Sequence, residues 1–285
     1  MNAPERIQPA SAIGEILVSR GLLREQDIDP IIERQRSKGE PFGEAAIALK
    51  LIARPDLDAA LSTQFNYGYL RDGQGTLSRE LVTAYKPFSK VAEQMRALRG
   101  QLMLRWFNGD PLHKVLTVVS HQPRDGRSFL AANLAVAFSQ QGQRTLLIDG
   151  DLRKPRQHTL FHTSHSAGFA GILAGRAGLE VIENVPGLPG LRVLPAGAVP
   201  PNPQELVGMP NLADLLEHAM EQSDVVLIDT PAASTCADAE IMAARTGAAL
   251  MVTRRHRTPL RGASEFTRRL QDTGVALVGA VLNDG

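Results

Sequence analysis

The chain has 285 residues, of which 43% are hydrophobic, and this is enough for one large domain and a small one, each with its own core. Lys and Arg number 31 against 30 Asp and Glu, so the net charge of +1 excludes a strong general attraction to nucleic acid or to anionic lipid. The single cysteine, Cys236, excludes an internal disulfide, and the apolar runs are too short to span a membrane, so the sequence predicts a cytoplasmic protein.

Two similar segments near the start of the chain lie 29 residues apart, counted from Gly14 to Gly43. Ile13-Gly14-Glu15-Ile16-Leu17-Val18 recurs as Phe42-Gly43-Glu44-Ala45-Ala46-Ile47, and the apolar positions that follow recur at the same offset. Apolar residues three or four apart on both sides of a glycine-containing turn are typical of short helices packed in pairs. We therefore predict a small all-α domain over residues 10–64.

This repeat resembles the N-terminal MshEN-type domain of type II secretion ATPases, some members of which bind cyclic di-GMP. In that family each motif opens with Arg-Leu-Gly, whereas this chain has Ala12 and Pro41 in place of the arginines and Lys50 in place of a glycine. Small neutral residues supply neither the charge nor the paired donors that arginine offers to a guanine edge or a phosphate. The resemblance leaves two alternatives open, a cyclic di-GMP site and a helical adapter that docks a partner.

A linker is predicted over residues 65–87, because glycines and a proline interrupt the apolar periodicity there. All three tyrosines of the chain, Tyr67, Tyr69 and Tyr85, lie within it. The next segment predicts a helix that begins near Phe88. Its charged residues Glu93, Arg96 and Arg99 follow one another at intervals of three and share one face, which taken alone indicates a solvated stripe.

From Lys114 onward, short apolar strands alternate with helices. The predicted strands are Val115–Val119, Thr145–Ile148, Val225–Ile228, Ala248–Val252 and Ala276–Val281, and the predicted helices are Ser128–Gln141, Asn211–Gln222, Ala237–Arg245 and Leu260–Asp272. This alternation predicts an α/β domain with a doubly wound parallel sheet covered on both faces. Ligands of such sheets bind at the carboxyl ends of the strands.

A phosphate-binding loop is the first candidate at that edge. Residues 120–128 join the first strand to the first helix, so their backbone N–H groups can receive phosphate oxygens. In the template G-x-x-x-x-G-K-[ST], Gly126 and Ser128 match, while His121 replaces the first glycine and Arg127 replaces the lysine. The hydroxyl of Ser128 can still bind magnesium. Arg127 keeps the positive charge but is bulkier than lysine, so we expect nucleotide binding to tolerate the change better than catalysis does.

Carboxylates follow the next strands in the predicted sheet. Asp149 and Asp151 come directly after an apolar run, and Asp229 ends a later strand. Hard divalent cations prefer oxygen ligands of this kind. Because these residues follow a phosphate loop in chain order, the sequence predicts a site for ATP and Mg²⁺, with Ser128, Asp149 and Asp229 around the metal.

These motifs together resemble the bacterial tyrosine kinases of polysaccharide assembly, most closely the EpsG-like chain-length determinant kinases, over residues 88–285. The family pattern apolar-x-D-x-D-x-R is matched at Asp149, Asp151 and Arg153, and the EpsG-like branch tolerates arginine in the phosphate loop. The resemblance implies a P-loop NTPase fold. The residues that it implies for nucleotide binding are Gly126, Arg127, Ser128, Phe129 and Asn283, the last at a position that contacts the adenine base in related ATPases.

The same resemblance implies an oligomer and a partner. In the family the pattern E-x-x-R-x-x-R mediates ring-like oligomerisation, and Glu93, Arg96 and Arg99 match it. The implied partner is a membrane polysaccharide co-polymerase, a Wzz-like activator, which would hold this protein at the inner face of the cell membrane. Direct membrane contact and nucleic-acid binding are not expected.

The implied reaction is in-line transfer of phosphate from Mg·ATP to a tyrosine, in the regulation of exopolysaccharide chain length and export. Arg127 and the loop amides would neutralise phosphate charge, and Asp149 or Asp151 would accept the hydroxyl proton. No tyrosine cluster follows the last predicted strand, so the expected acceptor is a linker tyrosine or a tyrosine of another protein. One alternative is an ATP-binding or ATPase regulator of the co-polymerase without kinase activity. Another, a partitioning-type ATPase, requires a lysine where this chain has Gln122.

Overall fold

The computed structural model describes residues 12–64, 70, 76–164 and 166–284. The chain divides into two compact units, Met1–Arg71 and Asp72–Gly285, and each has its own hydrophobic core. Among the described residues, no helix is long and apolar enough to cross a membrane.

The first unit consists of short helices around a small apolar core. They are α1 (Ala12–Ser19), α2 (Ile28–Lys38), α3 (Phe42–Ala48) and α4 (Arg54–Gln64), with a 3-10 turn at Glu25–Asp27 before α2. Helix α1 packs against α4, and α2 packs against α3. The core residues of both halves come from the apolar positions of the repeat.

The sequence repeat is also a structural repeat, because equivalent positions are buried in both halves. The buried pairs, each 29 residues apart, are Ile13 and Phe42, Leu17 and Ala46, Leu23 and Ile52, and Ile31 and Ala60. The turn after the first helix of each half is equivalent too, since Gly21 has φ +69° and Lys50 has φ +58°. Lys50 thus adopts the left-handed conformation that glycine adopts most readily.

The second unit is built on a parallel sheet. Its described strands are β1 (Val115–Val119), β2 (Thr145–Asp149), β3 (Glu183–Asn184), β4 (Leu191–Leu194), β5 (Val225–Asp229), β6 (Ala248–Arg254) and β7 (Ala276–Asn283). Their order is β3-β4-β2-β5-β1-β6-β7, and every neighbouring pair is parallel except β3 with β4 at one edge. All five residues of β1, β2 and β5 are buried, as expected for strands covered on both faces.

The helices of this unit precede β1 or lie in the connections between strands. They are α5 (Val82–Tyr85), α6 (Lys90–Arg105), α7 (Arg127–Gln140), α8 (Gln157–Phe161), α9 (Phe169–Leu173), α10 (Pro203–Val207), α11 (Asn211–Gln222), α12 (Asp238–Thr246) and α13 (Leu260–Asp272). Helix α7 packs directly on β1, β2, β4 and β5, and α6 packs on α7. The predicted long elements are present within two residues of their predicted bounds from β1 onward, and β3, β4, α8, α9 and α10 are additions to the prediction.

The second half of the predicted linker packs onto the second unit. Helix α5 lies against α7, where the backbone N–H of Thr83 donates to Oδ1 of the buried Asn133 at 2.9 Å. Tyr85 is only 4% exposed and its hydroxyl donates to Leu77 O at 2.9 Å. The prediction of Tyr85 as a phosphate acceptor is therefore wrong, because its hydroxyl is inside the fold. Tyr67 and Tyr69 lie outside the described residues.

Candidate active site

The loop between β1 and α7 is folded tightly by its own polar groups. The backbone N–H of Gln122 donates to Oδ2 of Asp125 at 3.1 Å, and Ser120 Oγ donates to Gln122 O at 2.8 Å. Arg124 and Gly126, just before the helix, have positive φ angles of 65° and 103°. The loop therefore ends with its backbone directed into the first turn of α7, as in a phosphate cradle.

Gly126 and Asn283, both predicted to bind nucleotide, lie together at the carboxyl edge. A Cβ on Gly126 would collide with Asn283 Nδ2, and that amide donates to Asp125 O at 3.0 Å. Helix α7 begins after Gly126, and its first backbone bond runs from Leu130 N to Gly126 O at 2.9 Å. The backbone N–H groups of Ser128 and Phe129, both predicted to bind nucleotide, lie in the first turn of α7. The first N–H groups of an α-helix have no carbonyl partner within the helix, so they can bind phosphate oxygens.

Arg127 is turned into the protein. Its Nε donates to Thr230 O at 2.7 Å, and Nη1 donates to Gln122 O at 3.0 Å and to Ser120 Oγ. The residue is only 7% exposed. Three protein oxygens therefore hold the guanidinium at the base of the loop, where its charge faces Asp229.

Asp149 and Asp229 form a buried carboxylate pair at the ends of β2 and β5. They are paired in register across the two strands, and neither is exposed. Burial, and then the like charge of Asp229, raise the pKa of Asp149 well above its ordinary value. Burial also raises the pKa of Asp229, and the nearby Arg127 opposes that rise. Two carboxylates that are buried side by side favour the binding of a proton or a cation, because either relieves their repulsion.

The carboxylate of Asp149 organises the loop that follows β2. Its Oδ2 accepts the backbone N–H groups of Arg156 at 2.9 Å and Gln157 at 2.8 Å, and its Oδ1 accepts that of Asp151 at 3.3 Å. Asp151 in turn uses Oδ1 to accept backbone N–H groups from Arg153 at 3.2 Å and Lys154 at 2.8 Å. Both predicted acids are thus held rigidly, and Asp151, at 7% exposure, is the less buried of the two.

The residues around Asp229 fit a magnesium ion. The Ser128 side chain is among the neighbours that oppose the rise in the pKa of Asp229, and Asp229 Oδ1 is a buried acceptor without a hydrogen-bond partner in the described structure. The described residues hold no cluster of three or more His, Cys, Asp or Glu side chains arranged to bind a metal. A site with one or two oxygen ligands suits Mg²⁺ that also binds phosphate oxygens and water.

Sequence reasoning missed two partners of this edge. Gln157 Nε2 donates to Asp229 Oδ2 at 2.8 Å, and the fully buried Asp238 accepts two hydrogen bonds from Arg153, at 2.9 and 3.1 Å. The pairing with Asp238 is the first cause of a raised pKa of Arg153. Neither residue stands at the end of a predicted strand, so only the folded loop identifies them.

The predicted oligomerisation residues lie on α6, and both arginines donate to backbone oxygens of their own unit. Arg96 pairs with Glu93 at 3.0 Å and donates to Pro87 O at 2.6 Å, while Arg99 donates to Ala137 O on α7 at 2.7 Å. The side chain of Glu93 is 72% exposed. Of the three, Glu93 is the one most available to another molecule.

The chain is similar in sequence to several tyrosine-protein kinases. The tyrosine-protein kinase YwqD of Bacillus subtilis is 33% identical over 215 residues, which are 75% of this chain and 90% of YwqD. The putative tyrosine-protein kinase EpsB of Ralstonia solanacearum is 34% identical over 228 residues, 80% of this chain and 29% of EpsB. The chain thus spans less than a third of the length of EpsB and of two other relatives. No family model matches the chain.

Solved structures agree with this similarity. The kinase domain of the Escherichia coli tyrosine kinase Etk has a TM-score of 0.68 at 32% identity, over 71% of this chain and 79% of that one. The septum site-determining protein MinD of Pyrococcus horikoshii, solved with Mg-ADP, has a TM-score of 0.52 at 25% identity, over 59% of this chain and 69% of that one. These likenesses confirm the predicted fold of a parallel P-loop NTPase sheet.

Proposed function

Because this chain belongs to the family of bacterial tyrosine-protein kinases that includes YwqD, we propose that it binds Mg·ATP and transfers phosphate to a tyrosine hydroxyl. One observation carries this proposal. Asp149 and Asp229 are paired in register and fully buried at the sheet edge beside the phosphate loop, and Asp229 Oδ1 has no hydrogen-bond partner among the described residues. A buried pair of like charges is unfavourable in the free protein unless the site also takes up positive charge.

Ser128 and Asp229 are the residues that would hold the metal, with Asp149 beside them. When bound, Mg²⁺ supplies charge that stabilises the phosphate oxygens during transfer. The backbone N–H groups of the loop and of the first turn of α7, including those of Ser128 and Phe129, would bind the phosphates. Asn283 would contact the base from β7.

Asp151 is the better placed of the two candidate proton acceptors. Both oxygens of Asp149 accept backbone N–H groups and the side chain has no exposure, so a substrate hydroxyl would have to displace those bonds. Within the described residues, the backbone N–H groups that Asp151 accepts all bind Oδ1, which leaves Oδ2 for the tyrosine hydroxyl. We assign proton transfer to Asp151 and an orienting and electrostatic role to Asp149.

Phosphotyrosine analysis tests this function. The purified chain is incubated with labelled ATP and Mg²⁺, with and without the cytosolic segment of a polysaccharide co-polymerase, and the label is located by mass spectrometry. We expect phosphotyrosine on Tyr67, on Tyr69 or on the added segment. The Asp151→Asn variant should keep nucleotide affinity within about threefold while turnover falls about 10²-fold or more. Nucleotide binding without any phosphotyrosine in either mixture would contradict the kinase function.

The second candidate function is that of an ATP-binding or ATPase regulator. The guanidinium of Arg127 is held by Thr230, Gln122 and Ser120 rather than placed at the mouth of the loop, which favours binding over transfer. In the same assay a regulator would release free phosphate alone or none. The Arg127→Lys variant separates the two functions, since a gain of phosphotyrosine would identify the arginine as the element that limits transfer.

We place this activity in the regulation of exopolysaccharide chain length and export, with an EpsG-like assignment and a membrane co-polymerase as partner. The relatives EpsB and the kinase of a cps region carry names that support this setting. The protein would then act at the inner face of the membrane through that partner, as a homo-oligomer that uses the exposed Glu93 side of α6. Sizing with and without the co-polymerase segment tests both assemblies.

For the first unit we propose the MshEN-like fold that its repeat resembles. The left-handed turns at Gly21 and Lys50 and the equivalent buried positions support this assignment. Cyclic di-GMP and a protein partner remain the two ligand classes. Isothermal titration of the full chain with cyclic di-GMP separates them, because heat that saturates at micromolar ligand supports the nucleotide, and its absence at high micromolar ligand supports the adapter.

A further inference from the structure

Gln157 forms hydrogen bonds with all three residues of the candidate metal site, Ser128, Asp149 and Asp229. It is fully buried at the start of α8. Its backbone N–H donates to Asp149 Oδ2 at 2.8 Å, and its Nε2 donates to Asp229 Oδ2 at 2.8 Å and to Ser128 O at 3.2 Å. One side chain and its backbone therefore join both strand-end carboxylates to the first turn of α7.

The hydrogen bonds fix which way the Gln157 amide faces. An ionised carboxylate and a backbone carbonyl only accept hydrogen bonds, so the nitrogen must point towards Asp229 and Ser128, and neither of these acceptors can bond to Oε1. Within the described structure, Gln157 Oε1 is a buried acceptor with no hydrogen-bond partner. Asp229 Oδ1, the other oxygen of the carboxylate that Gln157 binds, is in the same condition.

Gln157 and Asp229 are hydrogen-bonded to each other, and each has one oxygen that lacks a donor or a cation in the described structure. A divalent cation satisfies a carboxylate oxygen, and the hydrogens of water bound to that cation satisfy an amide oxygen. A proton on Asp229 would satisfy only one of the two. The arrangement thus fits a hydrated cation better than it fits a protonated carboxyl group.

We propose that Gln157 is a positioning residue of the magnesium site, which orients Asp229 through Nε2 and accepts a hydrogen bond from Mg²⁺-bound water through Oε1. This rests on the proposed function, because it requires Mg²⁺ and nucleotide at this edge. A purely structural glutamine would stabilise the loop equally with and without the metal. A positioning residue acts on the part of nucleotide affinity that depends on Mg²⁺.

The test is a titration of the full chain with a fluorescent ADP analogue, in EDTA and over a range of Mg²⁺ concentrations. Gln157→Met keeps the length of the side chain and the backbone bond to Asp149 but removes Nε2 and Oε1. We expect affinity in EDTA to stay within about twofold, and the Mg²⁺ concentration for half-maximal enhancement to rise about 10- to 100-fold. The matched control is Gln140→Met, since Gln140 is a partly buried glutamine whose Nε2 donates to Thr83 O away from this edge.

The outcomes separate the two proposals. A wild-type protein whose ADP affinity is unaffected by Mg²⁺ overturns the proposed nucleotide function itself. If wild type responds to Mg²⁺ and Gln157→Met has the same midpoint as Gln140→Met, the role of Gln157 is refuted, as it is by equal losses with and without Mg²⁺. Should the variant not fold, a crystal structure of wild type with Mg·ADP decides. Oε1 must then lie within about 3.2 Å of a metal-bound water, and a separation beyond about 4 Å overturns the inference.

Discussion

Replacing Asp229 by asparagine is expected to stabilise the free protein and to abolish its response to Mg²⁺. Asparagine keeps the shape of the side chain and can still accept the hydrogen bond from Gln157. What it removes is the negative charge that faces Asp149 across two paired strands in a buried site. Residues that bind a metal often destabilise the metal-free fold in this way.

The size of the effect follows from the strand spacing. Adjacent strands lie about 4.8 Å apart, and at an effective dielectric constant of about 20 two unit charges at that distance repel by about 3.5 kcal/mol. Proton uptake by the pair relieves part of this repulsion in the wild type, and the variant also loses the attraction between Asp229 and Arg127, so the net gain is smaller than the full repulsion. We therefore expect a gain of about 1–2 kcal/mol in the free energy of unfolding at neutral pH, which corresponds to a rise of about 2–8 °C in Tm for a unit of this size.

The pH dependence of Tm gives a second test of the expected direction of the stability change. The pKa values of Asp149 and Asp229 in the folded protein are raised above the ordinary value of 3.8, so above about pH 4 the folded state holds more protons than the unfolded state. The contribution of this pair to the free energy of unfolding of the metal-free wild type is therefore fully present below that pH. It is lost as the pH rises through the raised pKa values. Asp229→Asn removes one of these groups and weakens the shift of the other, so its Tm should fall less between pH 5 and pH 8.

The assay is thermal unfolding in EDTA and in Mg·ADP, at pH 5 and pH 8. Asp224→Asn is the matched control, because Asp224 lies just before β5 and pairs with Arg144 at 2.7 Å, which is the first cause of its lowered pKa. That control should leave Tm unchanged or slightly lower, since a partly exposed ion pair contributes little. The reasoning is refuted if Asp229→Asn has a lower Tm than wild type in EDTA at pH 8, or the same pH slope.

Three further expectations concern other parts of the second unit. Gly126→Ala should lower ADP affinity about tenfold or more and the free energy of unfolding by about 1–3 kcal/mol. The control Gly142→Ala, at φ +85° but with open space around it, should lower stability alone. Equal ADP affinity in both variants would contradict the steric argument. Phosphopeptide mapping should find no phosphate on the buried Tyr85, and Tyr85→Phe should lose about 1 kcal/mol in chemical denaturation through its missing hydrogen bond. Glu93→Lys should weaken self-association in sedimentation without changing Tm, but Arg99→Ala should lower Tm as well, because that guanidinium holds α6 on α7; unchanged sedimentation of the Glu93 variant would exclude this interface.

The elements that the sequence predicts correctly are those whose apolar pattern is long enough to be read locally. Strand β1 and helices α11 and α13 have the bounds that periodicity predicts. The additional elements are short. Strand β3 has two residues, and β4 has four, between Gly190 and Pro195. Their existence depends on the pairing of β4 with β2 and of β3 with β4 rather than on local pattern. Helices α8, α9 and α10 have five residues each, fewer than two turns, and are stabilised by packing.

The residues of the candidate site also differ in whether the sequence alone can predict them. Asp149 and Asp229 were predictable as neighbours, because parallel strands bring their carboxyl ends to one edge. Gln157 was not, since it reaches that edge only after the loop from Asp151 folds back over β2. The direction of the Arg127 side chain was not predictable either, because sequence fixes its charge and position but not which oxygens it meets.

Arg127 shows why a lysine template does not transfer directly to this chain. A lysine ammonium is a compact charge on a flexible stem and can extend to a phosphate with little else to satisfy. The guanidinium carries donors in a plane, and here three of its hydrogen bonds end on oxygens of Ser120, Gln122 and Thr230. From that position it opposes the rise in the pKa of Asp229 that burial causes, so it acts as a counter-ion of that carboxylate. The charge that a lysine would give to the nucleotide is therefore already engaged by the protein, and any phosphate that binds must be neutralised mainly by the metal and the backbone N–H groups of the loop.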